Sequence, residues 1–328
     1  MHAVTASDEI TTQPPTSNRS EQEVLQQFEN QLDPCRPESG VMPATVVACG
    51  EVSAVLTLKA LPDRVCKRMS GFETESQVHS YIALVKRYCQ TLESIGVDVV
   101  PTRFASVKSP VGGFTVYLTQ PALPKTELGN DILKNGTDEA LFFVIAGFLE
   151  NAEKIFSFNH TNPDNILIAA DSQISNWHVT KDTIRLLDVG TPCIRKGTTD
   201  LFDSTIIGKA MPLPVRFIFN RLGMFQRYFD SYFCPREIIL DHLANYIKEG
   251  RPDRILITLD FIHSWIEENG HHLKLQRKIT IKEIKSFYQK DVVLLEAFLQ
   301  CRRLDRFIRT GVMKKTYNYI LPGKISRF

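Results

Sequence analysis

From Val41 onward the apolar positions gather into short runs. ATVVACGEV, SAVLTLKAL and RVCKRMSGF are rich in Val, Leu and Ala and are divided by Gly50 and by Leu61-Pro62-Asp63. Runs of that length broken by turn formers predict three antiparallel strands. Between Thr74 and Ile95 the period changes: Val78, Ile82, Val85, Cys89 and Leu92 recur at helical spacing and Gly96 follows, which predicts a helix with a glycine stop. DVVPTRFASV and GGFTVYLTQPAL then supply two more strands around a Gly112-Gly113 turn. Beyond Leu123 the pattern is mainly helical, starting with a strongly apolar helix from Asp138 to Phe156. The predicted class is α+β, with a sheet lobe over residues 41–123 and a helical lobe over 124–328. Residues 1–40 are rich in Ser, Thr, Gln, Glu and Pro and are predicted as a disordered lead with a short helical candidate near Val24 to Leu32.

Composition narrows the class of protein more than its chemistry. The chain has 328 residues, 43% hydrophobic and 23% charged, with a formal charge of +2, values ordinary for a soluble globular protein. Seven cysteines lie far apart with no CxxC pair, which favours free thiols in a reducing compartment. The N-terminal stretch lacks a basic segment followed by an apolar one, and the longest apolar run, Ala140 to Leu149, is too short to span a bilayer. The expectation is a cytoplasmic protein; the sequence leaves the oligomeric state unknown. From His271 to the end, 14 Lys and Arg face 4 Asp and Glu, a local excess of +10. Apolar positions such as Ile281, Ile284, Phe287, Leu294 and Phe298 interleave with those charges, so amphipathic helices are favoured over a nucleic-acid surface.

Two segments carry candidate chemistry, FNHTNPDNILI with Asn165 and IRLLDVG with Asp188. Each residue adjoins an apolar, strand-like run that would hold a hard oxygen donor rigidly, as magnesium requires. On composition Asn-Pro-Asp-Asn is also a good turn. The order of three strands, a helix, two strands and an apolar helix, followed by a loop Asn and an Asp-x-Gly, resembles the protein kinase-like superfamily over roughly Val41 to Gly190. It is closer to the small-molecule branch, such as aminoglycoside and choline phosphotransferases, and is similar to uncharacterised bacterial families of this fold.

That resemblance implies a bilobal fold binding ATP and Mg2+ between its lobes, with a nucleotide and an unidentified small-molecule acceptor as partners. It implies Lys67 as the strand lysine on the phosphates, Glu75 as its helix partner with Glu73 behind it, Gly50 in the turn over the phosphates, and Asn165 and Asp188 as metal ligands. Five residues before Asn165 the family's catalytic Asp is replaced by His160, whose neutral imidazole can accept a proton but supplies no negative charge. Asn162 falls where the family carries a polar residue near the transferred phosphate. No Ala-Pro-Glu follows, which argues against a protein substrate. The resemblance thus implies a phosphotransferase or, because of His160 and the single glycine at Gly50, a pseudokinase serving as an interaction module.

Overall fold

The computed structural model describes residues 20–50, 52–221 and 223–323. It begins with α1 (Glu21–Gln31), whose start is fixed by a capping box between Ser20 and Glu23. Three strands follow, β1 (Ala44–Cys49), β2 (Ser53–Leu58) and β3 (Leu61–Phe72), then helix α2 (Glu75–Ser94) and strands β4 (Arg103–Lys108) and β5 (Phe114–Pro121). These form one antiparallel five-stranded sheet in the order β1-β2-β3-β5-β4. The expected glycine stop and glycine turn are both present: Gly96 has φ 78°, and Gly112 and Gly113 have φ 97° and 72°. At Gly113 a Cβ would lie 2.2 Å from the Phe72 carbonyl oxygen, so the turn admits only glycine.

The second lobe opens with α3 (Gly129–Asn135) and the 24-residue α4 (Asp138–Thr161). Short strands follow: β6 (Ile166–Ala169), β7 (Trp177–Val179), β8 (Ile184–Leu186), β9 (Cys193–Lys196) and β10 (Thr199–Asp200). They form a β7-β8 hairpin and a separate β10-β9-β6 sheet. The remainder is helical: α5 (Thr205–Gly208), α6 (Leu213–Arg221), α7 (Met224–Ser231), α8 (Pro235–Lys248), α9 (Ile255–Asn269) and α10 (Ile281–Phe307). The architecture is α+β, an antiparallel sheet lobe followed by a mainly helical lobe, and one apolar core runs through both from Met69, Val116 and Tyr81 to Phe148, Leu243 and Ile262.

Alternation along β3 gives the sheet two different faces. Val65, Lys67 and Met69 look toward α2 and the second lobe, whereas Cys66, Arg68 and Ser70 look the other way. That outer face is covered by α1, which supplies Leu25 and Phe28, and by a C-terminal segment that supplies Ile320. Thus the helix near Val24 to Leu32 is present and packed, inside the stretch read as a disordered lead; residues 1–19 of that stretch lie outside the described residues.

At the centre of this cap Glu29 and Arg68 form an ion pair at 2.6 Å, with side chains 1% and 2% exposed. The Glu29 carboxylate also accepts from Thr115 and Tyr117, and Arg68 donates to the carbonyl and side-chain oxygens of Asn318. Burial alone would raise the Glu29 carboxyl, but the Arg68 guanidinium and these hydrogen bonds outweigh it and hold the group below the usual carboxylate range. Glu29→Gln leaves a buried guanidinium without a counter-charge, and a loss of about 3–5 kcal/mol is expected, measured as a lower urea midpoint. Because the folded pKa lies below the unfolded one, the wild-type contribution is full above about pH 4 and fades as pH falls through the folded value, a slope that Glu29→Gln should lack.

Candidate active site

The central strand β3 pairs on both sides, Lys67 lying opposite Val55 and Leu118. Its ammonium crosses to the second lobe, where Nζ lies 2.6 and 2.7 Å from the two carboxylate oxygens of Asp188. The side chains are 16% and 30% exposed, so the pair sits at the cleft surface rather than in the core. Burial works to raise the Asp188 carboxyl, yet Lys67 and the Gly190 amide, which donates to Oδ1 at 2.9 Å, hold it below the usual range. A Cβ at Gly190 would lie 2.9 Å from Lys67 Nζ, so glycine in Asp-Val-Gly leaves room for the lysine.

Helix α2 meets this site without a carboxylate. Its inward positions are Val78, Tyr81, Val85, Tyr88 and Leu92. The Tyr81 hydroxyl donates to the Gly190 carbonyl at 2.7 Å and that of Tyr88 to the Ala169 carbonyl at 2.6 Å. Glu75 is exposed in the first turn, and Glu73 pairs with Lys209 at 3.0 Å. Among the described residues the carboxylate at Lys67 is therefore Asp188, not the expected helix glutamate. Gly50 occupies the β1-β2 turn, its amide donating to the Ser53 carbonyl at 3.0 Å.

The strand pairing decides which loop stands beside Asp188. β6 pairs with β9, from Ile166 opposite Lys196 to Ala169 opposite Cys193. Asn165, in a left-handed conformation with φ 53°, lies beyond the Ile166–Lys196 end, and its carbonyl accepts from the Gly197 amide at 2.8 Å. Asp188 lies five residues before β9, whose first residue, Cys193, pairs with Ala169 at the other end of that ladder. His160 is exposed in the last turn of α4, its ring 5.5 Å from that of His272. Asn162 braces the following turn, accepting from the Asp164 and Ile166 amides and donating to the Ile166 carbonyl. His160, Asn162 and Asn165 thus stand together at the Ile166 end of β6.

The backbone next to Asp188 is bonded to the end of the loop that follows β6. In the β7-β8 hairpin Trp177 lies opposite Leu186, and one step further the Leu187 amide donates to the Asn176 carbonyl at 2.8 Å. Asn176 is thus the neighbour of the residue that leads into Asp188. Five residues before Asn176 stands Asp171, partly exposed, its Oδ1 accepting from the Gln173 amide at 2.9 Å. The buried Cys193 thiol is pushed up first by burial and further by the charges of Asp171, Asp200 and Asp188. Asp171-Ser-Gln-Ile-Ser-Asn176, a short hairpin and Asp188-Val-Gly190 reproduce the kinase order of loop Asp, loop Asn and Asp-x-Gly.

The loop is pinned from below by α8. Ser172 is buried, its hydroxyl donating to Asp241 Oδ2 at 2.6 Å and its carbonyl accepting from His242 Nδ1 at 2.7 Å. His242 is fully buried against Phe148, with ring centroids 4.3 Å apart, and burial pushes its pKa down to about 4, so the ring is neutral. The Asp171 and Asn176 frame was present in the sequence as an Asp-x4-Asn twelve residues before Asp188, with a strand, a turn and a strand between. Asn165 stands 23 residues before Asp188, too far for one hairpin.

The chain belongs to DUF6206, a family of unknown function, whose pattern matches residues 57–306. No curated protein matches it. Among solved structures it is similar to WbdD in complex with a kinase inhibitor, at 15% identity and a TM-score of 0.29, over 49% of this chain and 34% of that one. It therefore spans about a third of the length of WbdD. It is also similar to a mutant aminoglycoside 2′-phosphotransferase-IIIa in complex with GDP, at 12% identity and a TM-score of 0.33, over 73% of this chain and 96% of that one.

Asp241 offers a test of the pinning. Burial first, then the charges of Asp291 and Glu237, raise its pKa to about 6 against the opposing effects of Ser172 and Lys248. A folded pKa above the unfolded one means that ionisation is costlier in the native state, so stability falls as pH rises from about 4 to about 6. Asp241→Asn, which keeps an acceptor for Ser172, should remove that slope and raise the melting temperature at pH 7.5 but not at pH 4, as followed by thermal melts across pH.

Proposed function

We propose that the cleft binds ATP with Mg2+ and transfers the terminal phosphoryl group to a hydroxyl of a small-molecule acceptor. The observation that carries this reading is the contact of Lys67 with Asp188 next to the Asn176 carbonyl, with Asp171 five residues upstream in a loop anchored on α8. The donor chemistry fits magnesium: Asp188 and Asn176 offer hard oxygens. Among the described residues no cluster of three or more His, Cys, Asp or Glu could hold a metal, so phosphate and water oxygens would complete the shell, which is the habit of this ion. The ion would neutralise charge on the phosphates when bound.

The chain's own residues then divide the work. Lys67, fixed on a strand paired on both sides, presents a stationary positive charge to the phosphates. In this reading Asp171 orients the acceptor hydroxyl and takes its proton, a role worth about 10²- to 10⁴-fold. With Asp171 at that position, the absence of a carboxylate at His160 no longer argues against transfer. The lack of an Ala-Pro-Glu segment supports a small acceptor over a protein. One observation favours a second reading, a nucleotide-binding pseudokinase: α2 sends no carboxylate to Lys67, which pairs with Asp188 instead.

Thermal melts with ATP and MgCl2 separate these readings. Wild type should gain about 2.7 kcal/mol at nucleotide one hundredfold above Kd. Lys67→Ala and Asp188→Ala should lose that gain. Asp171→Asn should keep it while ATP turnover falls by about 10²-fold or more, and His160→Ala should change neither. Turnover that survives Asp171→Asn but not His160→Ala would restore the His160 frame; a shift without turnover in wild type would select the pseudokinase reading.

A further inference from the structure

Helix α10 buries one side in the second lobe, through Ile284, Tyr288, Phe298 and Leu299, and presents the other to solvent. On the open side Val293, Ala297, Gln300, Leu304 and Phe307 follow one another at i, i+4, i+7, i+11 and i+14, a single stripe about 21 Å long at 1.5 Å per residue. Val293 is 70% exposed, Leu304 52% and Phe307 66%, and the π-helical turn beyond adds Val312 at 68% and Met313 at 50%. Apart from Gln300 the row is apolar, and exposed apolar side chains aligned on one helix face are more than the scattered ones of an ordinary surface.

Both ends of the band are basic. Lys282, Lys285 and Lys290 are exposed at its start, Lys314 and Lys315 at its finish, and among the described residues none of the five enters an ion pair. The acid along the stripe, Glu296, is met by Gln300 and Arg303. Because each end is cationic, pairing the stripe with a second copy sets lysines against lysines in either direction, which disfavours self-association. Lysines are mobile, strongly hydrated point charges, better matched to a field of phosphates than to one rigid carboxylate partner.

We propose that this face of α10 seats the protein on an anionic lipid surface, with Val293, Leu304, Phe307, Val312 and Met313 entering the headgroup boundary and the five lysines meeting lipid phosphates. The protein would lie on the bilayer and not cross it, since no helix among the described residues is long and apolar enough to span a membrane.

Co-sedimentation of the full chain with vesicles tests this independently of any nucleotide. Wild type should pellet with phosphatidylcholine vesicles containing phosphatidylglycerol, remain in solution with phosphatidylcholine alone, and be released by added salt. Leu304→Ser combined with Phe307→Ser, both at exposed positions, should lower partitioning by about tenfold with an unchanged melt. Lys314→Glu combined with Lys315→Glu should also lower it by about tenfold, and this variant decides the matter if the first does not fold. Three results would overturn the proposal. One is wild type staying in solution with anionic vesicles, including the case in which it is retained by immobilised polyglutamate. Another is undiminished binding by both variants. The third is a wild-type dimer that Leu304→Ser with Phe307→Ser turns into a monomer.

Discussion

The backbone of Leu186 and Leu187 is the reference point to which both lobes are tied. The Leu186 carbonyl accepts from the Val100 amide and its own amide donates to the Asp98 carbonyl, which attaches the end of α2 and the start of β4 to the second lobe. The Leu187 carbonyl accepts from Gln120 on β5, and its amide donates to Asn176. Beneath the same strand α4 approaches so closely that a Cβ at Gly147 would lie 2.4 Å from Ile184. Three separate segments are therefore fixed within two residues of Asp188, and α4 packs four residues before it. A carboxylate that must meet a lysine from one lobe and an asparagine loop from the other gains its accuracy from this convergence, since each backbone bond removes a direction of drift.

The first lobe was legible because its signals are local. Three strands, one helix and two strands were marked by Gly50, by Leu61-Pro62-Asp63, by Gly96 and by Gly112-Gly113, and each mark acts on its immediate neighbours. Lys67 could be placed by alternation within one strand. The second lobe was harder because Ile166 to Ile168 and Trp177 to Val179, the latter interrupted by His178, are both short runs preceded by an asparagine. Asn-Pro-Asp-Asn has the stronger turn composition, which marks Asn165 over Asn176 on local signals alone. Only the pairing of β6 with β9 and of β7 with β8, a long-range property, separates the two runs. The spacing of a single hairpin before Asp188 was the available clue.

The outer cap was invisible for a different reason. Glu29 and Arg68 read as ordinary surface charges until α1 and the segment around Asn318 are brought over the sheet. Their burial asks for both partners at once, together with Thr115 and Tyr117 as neutral donors. Such a hub adds little net stability over a well-packed apolar alternative, but it fixes one register for α1 against β3 and β5, because a shifted helix would strand a charge in the core.

The bond from Tyr81 to Gly190 gives the fold a mechanical character of its own. Where a lysine and a glutamate join a helix to a neighbouring strand, ionic strength and nearby charges alter the strength of the joint. Here the join is a neutral hydroxyl on a carbonyl, and burial first, with Asp188 and Cys89 adding to it, keeps the tyrosine protonated far above physiological pH. Counter-ions have no net charge to screen in that contact. The orientation of α2 is thus set by shape and hydrogen bonding, as a hinge pin is, and stays indifferent to the electrolyte around it.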